Sequence, residues 1–482
     1  METGLIAYGA YLPVRRLQRE VAAQTHAWFN PGLKALARGE RAIANWDEDA
    51  VTMALEAARN CLDGQDRAAL RALWLASTSL PFRDRLNAGI VGDALVLDAS
   101  VMALDVASSQ RAGTTALMAA LRGDGPALVV ASDRRAAKAG SPQEMTYGDG
   151  AAAFLVGRGD LLARLVGAHS ETVDFVDHYR GQDGEFDYAW EERWIRDEGH
   201  LKIAPRAITA LLQATGTDAA SIARFCYPAA GRGIGAGIAR ICGLPESALA
   251  DTLQSGIGET GAAHPLLMLA HALESAEPGD RILVAGFGQG CDALLFQATD
   301  AVRARRAAGV AAQIGKGRAD DNYARFVTLN GLLTVEHGIR AELDKGTALS
   351  NHWRNKDMTQ RMTGGHCTAC GTDQFPKARI CVNPECGAVD TQRDEGFSHK
   401  IGKLNSFTAD RLTYSPDPPA YYGMVEFASG GRLMCDFTDI DAADPPQVGM
   451  AMRMVFRVKD HDTRRGFRRY FWKAMPATRE ET

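Results

Sequence analysis

Four cysteines fall within twenty residues of this 482-residue chain, as Cys367-Thr368-Ala369-Cys370 and Cys381-Val382-Asn383-Pro384-Glu385-Cys386. Two residues separate the first pair and four the second, with ten between the pairs. Each pair can close a tight knuckle in which two thiolates converge. Glycine follows both, at Gly371 and Gly387, where the backbone must turn. Two knuckles give a closed tetrahedral shell of four soft ligands, the chemistry of a structural zinc site with no position left for substrate. Cys367, Cys370, Cys381 and Cys386 are the expected ligands. His366 could compete, but four thiolates suffice. Metal binding should contribute much of the folding energy of so small a unit.

The chain carries nine cysteines, and the other five are scattered. That pattern predicts reduced thiols rather than a disulfide framework. The net charge is −5, which removes the simplest electrostatic case for nucleic acid or an anionic membrane. No stretch approaches the ~18 consecutive apolar residues of a membrane span, and residues 1–13 lack a signal-peptide pattern. The expected compartment is the cytoplasm.

The elements that must carry this chemistry change along the chain. Over residues 1–298, short apolar runs alternate with Ala/Gly-rich helical stretches. Buried strands are expected at residues 73–77, 127–132, 151–156 and 282–286, and helices at 48–61, 114–121, 234–242 and 265–275. Alternation of this kind predicts βαβ units in a layered α/β domain. Glycine-rich strand ends recur at Tyr147-Gly148-Asp149-Gly150 and Gly286-Phe287-Gly288-Gln289-Gly290, a hint of internal duplication. Residues 299–362 read as a linker without strand character, to about residue 321, followed by a helical segment over 323–362. Residues 363–395 hold the cysteine cluster, and 396–482 show short strands between polar turns, the pattern of a small β-barrel.

The second part, with Gln374-Phe375-Pro376 between the knuckles and Phe456-Arg457-Val458-Lys459-Asp460 near its end, resembles the zinc-ribbon/OB-fold domains that accompany acyl-CoA enzymes. Residues 1–298 resemble the thiolase superfamily, in its hydroxymethylglutaryl-CoA synthase and ketoacyl-ACP synthase III branch. Four segments carry the likeness: DVASSQRAGTTAL from Asp105, YGDGAAAFLVG from Tyr147, GIGETGAAHPLL from Gly256 and PGDRILVAGFGQG from Pro278. The resemblance implies a five-layered duplicated α/β fold, a homodimer and a coenzyme A thioester as substrate. It also implies a cysteine nucleophile at the start of a buried helix, with a histidine and an asparagine to move protons or hold an oxyanion.

The sequence departs from that pattern at each position. Aligning the helix start puts Gln110 where the cysteine belongs, and Gln110 cannot form a thioester. Phe225-Cys226-Tyr227-Pro228 puts Cys226 or Pro228 at the histidine, and Gly258-Glu259-Thr260 puts Glu259 at the asparagine. The synthases' acidic residue has no clear counterpart in Ala76-Ser77-Thr78-Ser79. His264 could pair with Glu259 as base and orienter, or simply cap its helix. Gln110 could donate to a thioester oxygen, or be an inert replacement. Cys226 reads more readily as a buried structural thiol. Arg111, His178 and Gly288 are the expected substrate contacts. The dense segment Asp174–Arg196 reads as an acyl pocket, a subunit interface or a salt-bridged loop.

Two functions follow as expectations. One is an acyl-CoA enzyme that makes or breaks a C–C bond beside the thioester carbonyl without a cysteine acyl-enzyme. The other is a non-catalytic acyl-CoA-binding scaffold for a thiolase-type partner subunit.

Overall fold

The computed structural model describes residues 2–229, 231, 233–304 and 309–478. The chain divides into two compact units. The first comprises Met1–Ala44, Asp49–Gly92 and Leu97–Val327, and the second Asn45–Glu48, Asp93–Val96 and Thr328–Thr482.

The first unit is built on nine hydrogen-bonded strands. Their order is Ile222–Cys226, Arg281–Phe287, Gly290–Ala298, Ala163–Thr172, Gly4–Tyr11, Gly150–Gly157, Ala127–Asp133, Ala72–Ala76 and Met102–Val106. The expected duplication is explicit in the pairing. Outward from Gly4–Tyr11, the next two pairings are antiparallel and the third is parallel. Outward from Ala163–Thr172 the same sequence repeats. The halves join where Gly4 and Leu5 pair with Arg164 and Ala163.

Two helices, Ala112–Leu121 and His264–Glu274, touch strands of both halves and so lie between them, while Ala50–Cys61 and Leu201–Thr215 cover the outer faces. The result is the five-layered thiolase-like fold. The inner helix His264–Glu274 has no side-chain N-cap, an omission of about 1 kcal/mol. Full burial of Leu266, Leu267 and Leu269, at roughly 1.5–3 kcal/mol each, outweighs that loss. The inner helices approach at their N-terminal ends. A Cβ on Gly113 would lie 2.2 Å from the carbonyl oxygen of Ala262, so only glycine permits the approach.

The second unit contains a three-stranded ribbon, ordered Asp373–Gln374, Thr363–Cys367 and Gln392–Gly396, and a five-stranded antiparallel OB-like sheet. Its interior also holds ions. Fully buried Arg457 lies 3.1 Å from Glu48 and 3.0 Å from Asp439, and Lys473 lies 2.8 Å from Asp47.

Two expectations need correction. Residues 318–320, read as linker, form the strand Arg318–Asp320, which pairs in parallel with Arg15–Gln18, and the first compact unit continues past residue 298 to Val327. The helical reading of residues 323–362 fails over its middle. Helices form only at Tyr323–Leu329, Leu349–Arg354 and Lys356–Thr359, with one 3-10 turn at Ile339–Ala341. Gly331 and Gly338 take left-handed backbone angles that interrupt a helix, and Ile339 and Leu343 are exposed, so no buried face rewards helix formation.

Candidate active site

Gln110 stands just before the inner helix Ala112–Leu121, on a turn in which Ser108 takes a left-handed φ of 73°. A non-glycine residue in that region is strained, a feature common where a side chain must be aimed. Gly288 packs against the same turn. A Cβ there would meet Ser109 Oγ at 2.7 Å and the Gln110 nitrogen at 3.1 Å. Ser109 Oγ donates to the Gly288 carbonyl at 3.0 Å.

One end of the Gln110 carboxamide faces the N–H groups of Arg135, which assigns its orientation. Its oxygen accepts from Arg135 Nη2 at 2.7 Å and Nη1 at 3.0 Å and lies 3.1 Å from His178 Nε2. His178 Nδ1 lies 2.9 Å from Asp177 Oδ2, and Gln289 Nε2 donates to Asp177 Oδ1 at 3.1 Å.

Arg135 is the centre of this cluster and is almost wholly buried. It pairs with Glu259 at 2.6 Å and with Asp187 at 2.7 Å, and its guanidinium sits 3.7 Å from the centroid of the Tyr147 ring. The Tyr147 hydroxyl accepts from Arg135 at 2.6 Å and donates to Asp187 at 3.0 Å. Arg180 meets the other Asp187 oxygen at 3.0 Å. Burial works to raise the pKa of Asp187. The charge and hydrogen bond of Arg135, with His178 and Arg180, outweigh it and hold the carboxyl below its ordinary range.

Beside His178 lies a cavity of about 250 Å³ lined by Val176, Tyr179, Tyr188, Trp190 and Trp194. The dense segment therefore supplies both a pocket wall and buried ion pairs. It folds as a small hairpin, His178–Tyr179 against Tyr188–Ala189, and runs through a π-helical turn at Ile195–His200. The region that lacks the synthases' acidic residue is fastened to Asp133. That carboxylate accepts from Ser77 Oγ at 2.9 Å, the Thr78 amide at 2.7 Å, Ser79 Oγ at 2.7 Å and the Ala262 amide at 2.8 Å.

Both units resemble known proteins. Residues 212–296 match the family described as 3-oxoacyl-[acyl-carrier-protein] synthase III C terminal, and residues 398–457 match the ChsH2 C-terminal OB-fold domain. The hydroxymethylglutaryl-CoA synthase of Pyrococcus horikoshii is 30% identical over 322 residues, covering 63% of this chain and 89% of its own length. The chain belongs to the hydroxymethylglutaryl-CoA synthase family. The Thermococcus gammatolerans synthase is 29% identical over 317 residues, with the same coverage of both chains. Among solved structures, an HMG-CoA synthase complexed with CoA superimposes with a TM-score of 0.62 at 19% identity, covering 72% of this chain and 94% of that one. Xanthomonas campestris OleA with bound lauric acid and lauroyl-CoA gives 0.55 at 20% identity, over 62% and 99%.

Within this family member the expected residues separate into two groups. Gln110, Glu259 and His178 come together through Arg135, which sequence reasoning passed over along with Asp187 and Tyr147. The adjacent pair Arg134-Arg135 offers no signal as to which arginine turns inward. His264 does not join Glu259 by a hydrogen bond. Its Nδ1 accepts from the Thr260 amide at 3.0 Å and its Nε2 donates to the Thr252 carbonyl at 2.8 Å, so both nitrogens are used and the ring is neutral. Burial lowers its pKa, against the opposing charge of Glu259. Glu259 spends its other oxygen on the Gly261 amide at 2.8 Å.

Arg111 is likewise engaged, at 3.0 Å from Asp292, 3.1 Å from Ser170 and 3.0 Å from Thr172. The Gly288 amide donates to the Gly290 carbonyl, so it is not an available oxyanion donor. Cys226 is fully buried at a strand end, 3.6 Å from the Met268 carbonyl.

The cysteine knuckles lie in the second unit. Gly371 and Gly387 take the left-handed angles expected of them. The four sulfurs all lie within 4.8 Å of one another, with Cys370–Cys381 at 3.5 Å and Cys367–Cys386 at 4.0 Å. A tetrahedral metal with bonds of about 2.3 Å spaces its sulfurs by about 3.8 Å, so the donor set fits zinc. His366 instead pairs with Asp373 at 2.6 Å.

Burial pushes the Cys226 thiol up to about 12. The folded chain keeps this proton more tightly than the unfolded one, so the contribution is complete below the ordinary thiol pKa of ~8.5 and is lost as pH rises from there toward the folded value. Iodoacetamide at pH 8 should leave Cys226 unmodified in the native protein and modify it after denaturation, as read by peptide mass spectrometry. Rapid native labelling would restore it as a candidate nucleophile.

Proposed function

We propose that the protein acts on an acyl-CoA thioester, making or breaking the C–C bond next to the thioester carbonyl without placing the acyl group on the protein. One observation carries this reading. The position expected to hold the nucleophile carries a carboxamide gripped by a buried, fully paired arginine. An abandoned site would lose polar groups that are costly to bury, because an unpaired charge inside the protein destabilises it strongly. Here the replacement of a thiol by Gln110 is matched by Glu259 and Asp187, which neutralise Arg135.

The residues suit enolate chemistry. Such a reaction needs donors for a developing oxyanion and a group that handles one proton, and it needs no protein thiolate. With its oxygen occupied, Gln110 has its amide N–H groups to offer the thioester oxygen. His178, oriented by Asp177, lines the aromatic cavity and can exchange the proton through Nε2 once that nitrogen turns from Gln110 to the substrate. The bound CoA of the structural relatives and the acyl-CoA of OleA support the substrate class. Retro-aldol, retro-Claisen and decarboxylative reactions share these requirements.

The four-thiolate cluster is proposed to hold one structural zinc that stabilises the ribbon. The strand Met102–Val106 lies at the edge of the nine-stranded sheet with Met102 and Leu104 exposed, which supports its use as a pairing surface between two copies of the chain.

Three outcomes follow. Purified protein incubated with β-keto- and β-hydroxyacyl-CoAs should release shorter acyl-CoA or free CoA, followed by mass spectrometry. Turnover should survive Cys226→Ala and fall at least about 100-fold in Gln110→Ala and in His178→Asn, the usual scale for a lost oxyanion donor or proton-transfer group. Binding without any turnover across the panel would favour the scaffold reading instead. Elemental analysis should find one zinc per chain, and its removal by chelator should lower the melting temperature of the second unit. A metal-free protein with unchanged melting would remove the zinc assignment. Light scattering should give twice the chain mass, reverting to one chain mass in Leu104→Lys. A wild-type monomer would exclude the paired edge.

A further inference from the structure

The orientation of Gln110 fixes the charge on His178. Nδ1 of that ring faces the carboxylate of Asp177 at 2.9 Å. A carboxylate only accepts, so Nδ1 carries a proton. Nε2 faces the Gln110 carboxamide at 3.1 Å, and two cases are open. If the amide nitrogen faced His178, Nε2 would accept and the ring would be neutral. That same nitrogen would then point its hydrogens at Arg135 Nη2 and Nη1, 2.7 and 3.0 Å away, where only donors stand. Arginine has no acceptor and is never deprotonated in such a site, so this case is closed by donor–donor repulsion. With the oxygen turned inward, all three contacts become hydrogen bonds, and Nε2 must then also carry a proton.

We infer that His178 is an imidazolium, and that it and Arg135 form a three-donor clamp on the Gln110 oxygen that fixes the orientation of the carboxamide. The inference rests on the acyl-CoA reading only for what the amide N–H groups meet. Charge balance agrees. Arg135, Arg180 and His178 face Asp177, Asp187 and Glu259 through direct contacts, three cations against three carboxylates. His200, the other ring beside Asp177, is held neutral. Burial lowers its pKa to about 4 against the pull of Asp177.

Two cations drawing on one carbonyl oxygen polarise the amide and make its N–H groups better donors. A glutamine so held is a fixed dipole, the kind of donor that stabilises an oxyanion without reorganising. Arg135 is then a positioning residue that acts through Gln110, and His178 shares that duty with the proton exchange proposed above. The assignment gives His178 two linked duties. It lends its charge to Gln110 while it holds the proton, and the charge leaves if the proton is passed on.

The test is nitrogen-15 NMR of the full chain with labelled histidine, the His178 signals being assigned by their loss in His178→Asn. At neutral pH both ring nitrogens of His178 should resonate as protonated. Gln110→Met removes the acceptor while keeping the length of the side chain, and His178 should become neutral at the same pH. A neutral His178 in the wild type, with a bare Nε2, would overturn the clamp, because the carboxamide would then have to point the other way. So would an imidazolium that persists unchanged in Gln110→Met, since Asp177 alone would account for it. Should Gln110→Met fail to fold, the wild-type spectrum alone decides the orientation, and Gln110→Glu, which retains the acceptor, should keep the imidazolium. These readouts need no turnover. A failed substrate panel with an intact imidazolium would remove the acyl-CoA reading and leave the clamp standing.

Discussion

A guanidinium taken out of water has to be surrounded by acceptors, and much of the first unit is arranged to surround one. Arg135 follows the strand Ala127–Asp133, Asp187 sits beside the second strand of the small hairpin, and Glu259 precedes the inner helix His264–Glu274. Three segments distant in sequence are therefore fixed relative to one another by a single side chain. Moving any of them would strand a charge in a dry interior, at a cost of several kcal/mol. The Gln110 turn is fixed by the same residue and by the close approach of Gly288.

This explains why the departures from the family pattern belong together. A cysteine nucleophile needs a helix N-terminus and a base. A glutamine needs its orientation set, because its two ends differ only in donor and acceptor character. The changes at residues 110 and 259 look like unrelated losses when read singly. Around Arg135 they form one consistent set of donors and acceptors. The outer members, Tyr147 and Arg180, complete the hydrogen bonding of Asp187, so the cluster is satisfied well beyond the side chains that could meet a substrate.

Much of the fold was legible in the chain. Continuous apolar runs marked the strands Ala127–Asp133 and Arg281–Phe287 because both faces of the sheet are covered. Cysteine spacing marked the knuckles because the metal-ligand geometry is local. The site was only partly legible. Gln110 and Glu259 were found from the positions they occupy in a recognised pattern. Arg135 was not, since Arg134 and Arg135 are alike in sequence and only the packing selects between them. His264 was open to two readings for the opposite reason. Its position near the helix start suits either chemistry or a structural role, and only the structure shows that its two nitrogens are taken by threonine backbone groups. The stretch through Gly331 and Gly338 misled because apolar residues spaced among charges resemble a helix even where nothing covers them.

The buried ions of the second unit bear on how it folds. Lys473 finds its partner Asp47 across 426 residues of sequence, and Arg457 draws on Glu48 in the same way. A contact that closes a loop of this length costs chain entropy before its reward is collected. The dry interior around Arg457 and Lys473 therefore closes in one late, cooperative step, when segments far apart in sequence arrive together and neither cation is left without its carboxylate.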